Sequence, residues 1–202
     1  MTRGFILIAH DTNEYKYTNL SSLCARLIKK HFDLPISLIT DNSNFTDKVF
    51  DKIILIEPQK NNYRIKIENN EKVEWRNTSR SLVYDLSPYD QTILVDSDYA
   101  VLNDNLGKLF YQAETFLCHN TYADITYEGF FQSYDHLGSA FIPNCWATVV
   151  YFQKSHYAKS IFEMWKHIQN NYEYYCGIHN IHSITYRNDY ALSIAIHMIN
   201  GQ

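Results

Sequence analysis

The chain has 202 residues, of which 46% are hydrophobic, and this is typical of a single domain that buries a sizeable core. Its six glycines and four prolines are too few for a collagen-like or low-complexity chain. The net charge of −4 provides no broad basic surface, so the composition argues against non-specific binding of nucleic acid while leaving a local basic groove open.

The cysteines and the hydropathy pattern indicate the compartment. The four cysteines form no CxxC pair and no short framework, which argues against a zinc ribbon or a disulfide scaffold and favours a reducing environment. The apolar run Phe5–Ala9 is too short for a signal peptide or a membrane span, and no other segment approaches the length of a span. We therefore expect a soluble cytoplasmic protein.

Predicted strands and helices alternate along the first part of the chain. Gly4–His10 is a predicted buried strand, and the apolar spacing in Thr18–Phe32 predicts a helix. Two further strands are predicted over Ile36–Thr40 and Asp51–Glu57. The polar segment Asn61–Val73 is predicted as a loop or a hairpin.

A predicted helix over Trp75–Leu86 is followed by an apolar strand that runs into Asp96 and Asp98. The order βαββαβ predicts an α/β sandwich with a mainly parallel central sheet flanked by helices. Open α/β sheets bind ligands at the carboxyl ends of their strands, where these two aspartates lie. Oxygen ligands two residues apart suit Mg²⁺ or Mn²⁺ carrying a phosphate, and the alternative is a surface turn that contains two aspartates.

The second half of the chain is less regular. Strands are predicted over Thr115–His119 and Ala147–Phe152, and helices over Ser155–Asn170 and Asn188–Asn200. The long aromatic interval Asn120–Asn144 between the two strands predicts a substrate-facing loop. Within that interval we expect a lid that orders on donor binding and lines the acceptor pocket, the alternative being rings that fill the core beneath a long connection. The lid residues are Tyr122–Tyr134.

These elements resemble those of the GT-A nucleotide-sugar glycosyltransferases, in particular the glycogenin-like retaining enzymes and short putative transferases of tailed phages. The resemblance is carried by the segments GFILIAH, ISLITD, WRNTSRSLVYDLSPYD, ILVDSD, ATVVYF and NDYALSIAI. It covers essentially the whole chain and is specific over Arg76–Leu106, where, as in that family, a helix that carries arginine is expected to precede the DxD strand. It implies a single GT-A domain over residues 1–202.

The resemblance also implies roles for individual residues. Asp98 would be the main metal ligand, and Asp96 would bind the metal, the ribose or the sugar. Arg80 would face the donor diphosphate or sugar, which suits a bidentate guanidinium, unless it is only a solvated helix charge. Asn77 lies one turn earlier on the same helix face. The remaining substrate contacts would come from Ala9, His10, Asp11, Asp41 and Asn144.

Two aspartates have structural alternatives. Asp189 resembles the aspartate near the reacting centre of these enzymes, but Asn188 or Asp189 would equally serve as the cap of the last helix. Asp41 follows a strand and would accept a hydrogen bond from a base N–H, or would simply be a turn residue.

The chain departs from the family at the third metal ligand. Glycogenin-like enzymes supply a histidine from a glycine-containing C-terminal motif that is not present in this chain, which stops at Gly201-Gln202 directly after a predicted helix. Either the sequence is a truncated form or its metal site is completed differently. The candidate substitutes are His179, His182 and His197.

Together these features imply metal-dependent transfer of a sugar from a nucleoside diphosphate sugar, with UDP favoured, to a saccharide or another hydroxyl acceptor. A sugar-nucleotide pyrophosphorylase would need a glycine-rich loop after the first strand, and the sequence there has none. A phosphatase of the haloacid dehalogenase type also carries DxD after an apolar strand, but it needs a later lysine and an acidic motif. A non-catalytic nucleotide-sugar binder, or a truncated relic, is the third alternative.

Overall fold

The computed structural model of the protein describes residues 1–58, 62–65, 70–76, 78–119, 136–183 and 185–201, without the side chains of 64 and 65. The strands are β1 (Arg3–Ile8), β2 (Ile36–Thr40), β3 (Lys52–Leu55), β4 (Asn62–Ile65), β5 (Lys72–Trp75), β6 (Gln91–Asp96), β7 (Phe116–His119), β8 (His136–Leu137), β9 (Ile142–Pro143) and β10 (Trp146–Gln153). The helices are α1 (Tyr17–His31), α2 (Val83–Leu86), α3 (His156–Asn170), α4 (Tyr172–Ile178) and α5 (Asn188–Asn200), with 3₁₀ turns at Arg80–Leu82 and Asn105–Tyr111.

The central sheet has six strands in the order β3-β2-β1-β6-β10-β7. β1, β2, β3 and β6 run parallel, whereas β10 is antiparallel to β6 and to β7. The predicted mainly parallel α/β sheet is therefore confirmed. β2 and β6 lie on opposite sides of β1, so the strand order reverses between β1 and β6, where Ile8 pairs with Asp96. Open α/β sheets bind ligands at such a switch point.

Side chains that alternate along the central strands cover both faces of the sheet with core. Phe5 and Leu7 of β1 pack with Ile28 of α1 on one face. Ile6 and Leu94 belong to the core that contains α3 and α5 on the other face. All five side chains are fully buried, and each stabilises the fold by about 1.5–3 kcal/mol. Because helices cover both faces, the strand ends are the part of the sheet open to a ligand.

The prediction of one helix over Trp75–Leu86 is wrong. β4 and β5 form an antiparallel hairpin in which Asn62 pairs with Trp75, and helical structure begins only at Arg80. The β-branched and aromatic side chains of β5 favour a strand, and Val73 is buried within it. Of the two alternatives predicted for Asn61–Val73, a loop or a hairpin, the structure shows the hairpin.

The other predicted strands and helices agree with the structure to within two residues at each end. Helix α4, the 3₁₀ turn at Asn105–Tyr111 and the short strands β8 and β9 were not predicted. Ser155 caps α3, since its hydroxyl accepts from the backbone N–H of Ala158 at 3.1 Å. The predicted cap of α5 is wrong, because the N-cap is Arg187, without a side-chain cap bond, and both Asn188 and Asp189 lie inside the helix.

Three expectations about the whole chain can be set against the described residues. The four cysteines are free thiols. Among the described helices none combines the length and the apolar character needed to cross a membrane. The aromatic segment Tyr122–Tyr134 lies outside the described residues, so its role as a lid stays a prediction.

Candidate functional site

A pocket of about 300 Å³ lies at the carboxyl ends of β1 and β6, where the strand order reverses. The antiparallel strand β10 and helix α5 both begin at this pocket. The fold thus brings together residues from elements that are far apart in the sequence. Five of the predicted site residues line the pocket: His10, Arg80, Asp96, Asp98 and Asp189.

The two aspartates of the DxD motif differ in their surroundings. Asp96 ends β6, and its backbone oxygen accepts from the N–H of Tyr99 at 3.1 Å, which closes the turn that carries both carboxylates. The Asp96 side chain forms an ion pair with Arg80. Asp98 is exposed, and no described residue forms a hydrogen bond or an ion pair with its carboxylate. Asp98 is therefore the carboxylate that is open to a cation.

Arg80 lies beneath the pocket rather than in solvent. It is only 8% exposed, pairs with Asp96 and donates a hydrogen bond to the backbone oxygen of Ala147. Burial lowers the pKa of its guanidinium, while the charges of Asp189 and Asp98 oppose that shift. An arginine pKa starts so high that the side chain remains a cation. The alternative of a solvated helix charge does not describe this residue.

Asp189 is held in place by the start of β10. Its Oδ1 accepts from the backbone N–H of Ala147 at 2.9 Å, and its Oδ2 lies 3.3 Å from Arg187 Nη2. The Arg187 guanidinium lies over the ring of Tyr190, at 5.1 Å from its centroid. Arg187 Nε is buried without a hydrogen-bond partner among the described residues. An unsatisfied charged donor that lines a pocket is suited to an anionic ligand.

A buried chain of polar groups connects β1, β2 and the segment that carries Arg80. His10 Nε2 lies 2.7 Å from Ser79 Oγ, and His10 Nδ1 lies 3.1 Å from Asp41 Oδ1. The other Asp41 oxygen lies 3.4 Å from Arg76. The Asp41 carboxylate beside Nδ1 favours the tautomer that carries its proton on Nδ1, and in that tautomer Nε2 accepts from the Ser79 hydroxyl. Ser79 is fully buried, so the chain orients the backbone before Arg80 and does not present a nucleophile.

This arrangement predicts a pH dependence of stability. Burial lowers the pKa of His10 below its ordinary value, and Asp41 opposes the shift without cancelling it. Between the lowered pKa and the ordinary one the unfolded chain binds more protons, so the free energy of unfolding should fall as the pH decreases through that range. We expect the free energy of unfolding of His10→Gln, measured by urea unfolding, to vary less with pH than that of the wild type between about pH 7.5 and 5. The exposed His31→Gln is the control, and an unchanged slope in His10→Gln would assign the effect to another group.

The remaining predicted contacts that the structure describes do not line the pocket. Ala9 is buried, and its backbone N–H joins the sheet by bonding to β2. Asp11 accepts from the backbone N–H of Thr18 at 2.9 Å and so caps the first turn of α1 from outside the helix. Asn144 is buried two residues before the start of β10, with its Oδ1 unpaired among the described residues. Asn77 lies outside the described residues.

None of the candidate histidines joins the two aspartates. His179 and His197 pack against each other with ring centroids 5.9 Å apart, and neither these two nor His182 line the pocket. The described part of the chain contains no group of three or more histidine, cysteine, aspartate or glutamate residues placed to hold an ion. Mg²⁺, however, is commonly bound by one or two carboxylates together with water and substrate phosphates. The two aspartates fit that kind of site.

Two arginines of the pocket were not identified from the sequence. Arg76 and Arg187 both line it. Arg187 immediately precedes the helix that carries Asp189. Its position two residues before a predicted site residue could have indicated a cation at the same edge of the sheet. Arg76 follows β5 directly and was hidden because that segment was predicted to be helical.

Comparison with known protein families gives no match, and comparison with curated proteins gives none either. Solved structures do share the fold. The galactosyltransferase LgtC, in complex with donor and acceptor sugar analogues, is similar at a TM-score of 0.53 and 10% identity, over 96% of this chain and 70% of LgtC. An active-site variant of LgtC is similar at a TM-score of 0.55 and 10% identity, and the match covers 96% of this chain and 69% of the variant.

The glycosyltransferase GlyE of Streptococcus pneumoniae TIGR4 is also similar, at a TM-score of 0.50 and 12% identity. The match covers 98% of this chain but only 43% of GlyE, so the chain spans less than half of that enzyme. At such identities the likeness establishes the fold and nothing finer. The chain has the α/β fold of these glycosyltransferases, with a mainly parallel central sheet.

Proposed function

We propose that this chain transfers a glycosyl group from a nucleoside diphosphate sugar, with a UDP sugar favoured, to an acceptor hydroxyl. The observation that carries the proposal is the pocket that gathers Asp96, Asp98, Arg80 and Asp189 at the switch point of the sheet. Such a position is where open α/β folds bind nucleotides. LgtC, which shares the fold, was solved with donor and acceptor sugar analogues.

The charges that line the pocket suit a metal-bound diphosphate. The diphosphate of a nucleotide sugar carries two negative charges and a divalent cation carries two positive ones, so the pair enters without adding net charge to a partly enclosed site. A pocket whose own charges cancel matches a ligand pair of this kind. Its described lining has three arginines and three aspartates: Arg76, Arg80, Arg187, Asp96, Asp98 and Asp189.

Asp98 and Asp96 would hold Mn²⁺ or Mg²⁺. Carboxylate oxygens are the ligands that these hard ions prefer, and phosphate oxygens and water complete the shell. Asp98 is the stronger of the two candidates, because Arg80 already shares the charge of Asp96. When bound, the ion would neutralise charge that builds on the leaving diphosphate.

Arg80 and Asp189 would act on the two sides of the breaking bond. The Arg80 cation is fixed by Asp96 and by the backbone oxygen of Ala147, so it is positioned before the substrate arrives. The Asp189 carboxylate, held by the N–H of Ala147, would stabilise positive charge that develops on the sugar carbon. The resemblance to glycogenin-like enzymes favours retention of the anomeric configuration, which proton NMR of the product reads directly.

A ligand screen followed by turnover tests this function. Nucleotide sugars based on UDP and GDP are compared by thermal shift with and without Mn²⁺, because a ligand that binds only the folded chain raises its apparent stability. We expect one of them to stabilise the chain in a Mn²⁺-dependent way and to be converted to free nucleotide. Stabilisation without conversion would identify a nucleotide-sugar-binding protein, and no stabilisation by any of them would contradict the proposal.

Arg80→Ala should weaken binding of UDP more than binding of UMP, both measured by calorimetry with Mn²⁺. The substitution removes the guanidinium that we propose faces the distal phosphate of UDP, which UMP lacks. A charge-assisted hydrogen bond contributes roughly 1.5–3 kcal/mol. The control is Arg26→Ala, which removes an exposed arginine paired with Asp47 on the surface. Equal weakening of UDP and UMP would show that Arg80 acts only through the fold, and the free energy of unfolding of each variant is measured alongside.

A further inference from the structure

A second, larger groove lies beside the pocket that we assign to the donor. Its volume is about 860 Å³, and it is lined by residues of the β4–β5 hairpin, of the junction between α3 and α4, and of the segment before α5. Tyr63 and Tyr174, which line it, are 38% and 65% exposed. Tyr172 and Tyr186 also line it and are more deeply buried. None of these four tyrosines has a role in the chemistry proposed above.

The two inner tyrosines are held in one orientation. The rings of Tyr172 and Tyr186 pack edge to face, with centroids 5.0 Å apart. The Tyr186 hydroxyl accepts from Trp165 Nε1 at 3.1 Å and donates to Asn188 Oδ1 at 2.9 Å, and the Tyr172 hydroxyl bonds to Ser183 Oγ at 3.2 Å. Burial raises the pKa of both phenols, so they stay protonated. A surface ordered in advance loses little entropy when a ligand binds.

The charge of the groove argues against phosphate ligands. Lys72 and Glu173 are the only charged residues of its described lining, and their charges are opposite. The Lys72 ammonium already lies over the ring of Tyr63, at 4.1 Å from the centroid. Nucleic acids and other polyphosphates need clustered cations, which this lining does not offer. The groove is suited to a ligand without net charge.

The remaining lining groups match the chemistry of a sugar. Hydroxyl groups of a saccharide pair with amides and hydroxyls, and its C–H faces lie against aromatic rings. Exposed tyrosine rings and neutral polar groups occur together along this groove. The neutral polar residues of its described lining are Asn62, Asn70, Gln169, Asn170, Asn171, Ser183 and Thr185.

We propose that this groove binds a neutral saccharide, which is the distal part of the acceptor. The acceptor role rests on the proposed function, whereas binding of the saccharide does not. Two connections join the groove to the donor pocket. Tyr186 in the groove contacts Asn188, which lines the pocket, and the hairpin places Lys72 in the groove and Trp75 in the pocket. An acceptor of several units would therefore reach the pocket with its terminal hydroxyl while its other units occupy the groove.

A glycan array of neutral and acidic oligosaccharides, probed with the whole chain, is the first test. The best neutral oligosaccharide is then titrated into the wild type, Tyr63→Ala, Tyr174→Ala and their double variant. We expect each single change to weaken binding about tenfold, as truncation of a central aromatic contact does, and the double change to abolish it. The control is Tyr111→Ala, which removes a tyrosine that is 78% exposed and lines neither cavity.

Titration of UDP with Mn²⁺ into the same variants separates the two proposals. The groove variants should bind UDP as the wild type does, and Asp98→Ala should lose UDP while it keeps the oligosaccharide. No glycan binding by the wild type, a preference for acidic glycans, or undiminished binding by the double variant would overturn the saccharide groove. Failure of the wild type to bind UDP or another nucleoside diphosphate would overturn the proposed function and with it the acceptor role, while saccharide binding by the groove would stand.

Discussion

Asp98→Ala should abolish Mn²⁺-dependent binding of a nucleoside diphosphate and leave the fold intact. The Asp98 carboxylate is exposed and has no partner among the described residues, so its removal breaks no contact of the fold. Loss of a group that only supports a metal ligand costs about 10–100-fold in affinity, so loss of the ligand itself should cost roughly 100-fold or more. Asp98→Asn should have nearly the same effect, because a neutral amide is a far poorer ligand than a carboxylate.

The comparison is made by calorimetric titration of UDP with Mn²⁺ and again with EDTA. Asp104→Ala is the matched control, since Asp104 is an exposed aspartate a few residues further along that makes no side-chain cap bond to its 3₁₀ turn. UDP affinity that is the same with Mn²⁺ and with EDTA in the wild type would rule out a metal at this site.

Asp189→Asn should lower kcat by about 10²–10³ with little change in UDP affinity. The substitution removes one preorganised charge from beside the reacting carbon, and the loss of a single electrostatic contact of this kind has that magnitude. The amide oxygen of asparagine can still accept from the backbone N–H of Ala147, which Asp189 does at 2.9 Å. The position of β10 is therefore preserved, and the fall in kcat isolates the charge.

Asp189→Ala separates this role from a structural one. It removes the acceptor as well as the charge and leaves the Ala147 N–H without its partner, which should lower the free energy of unfolding by about 1–3 kcal/mol. Asp189→Asn should unfold almost like the wild type, because the ion pair with Arg187 is partly exposed and contributes little. Full kcat in Asp189→Asn would show that Asp189 only anchors β10.

Local sequence patterns were sufficient to predict the layers of the fold. A strand buried on both faces is mainly apolar along its length instead of alternating with polar residues, so runs such as Ile36–Thr40, where Ser37 and Thr40 are the polar exceptions, are visible without any knowledge of their neighbours. The same reasoning placed Asp96 and Asp98 at the end of β6, because a change from apolar to acidic residues marks where the strand leaves the core. Apolar residues at helical spacing predicted α1 and α3, because each of these helices buries one stripe of its surface against the sheet.

The assembly of the site was decided by contacts between distant parts of the chain. His10 and Ser79 are 69 residues apart, and Arg80 reaches Ala147 across 67 residues. Asp189 shows the limit of local preference. Aspartate favours the cap position of a helix, but the Oδ1 of Asp189 accepts from the backbone N–H of Ala147 in β10, 42 residues earlier. The sequence by itself determined which elements form and where the acidic strand end lies, because burial sets a local pattern. Only the tertiary structure decided which side chains meet at that end, because a charged or hydrogen-bonding group pairs with whatever partner the packed sheet brings within reach.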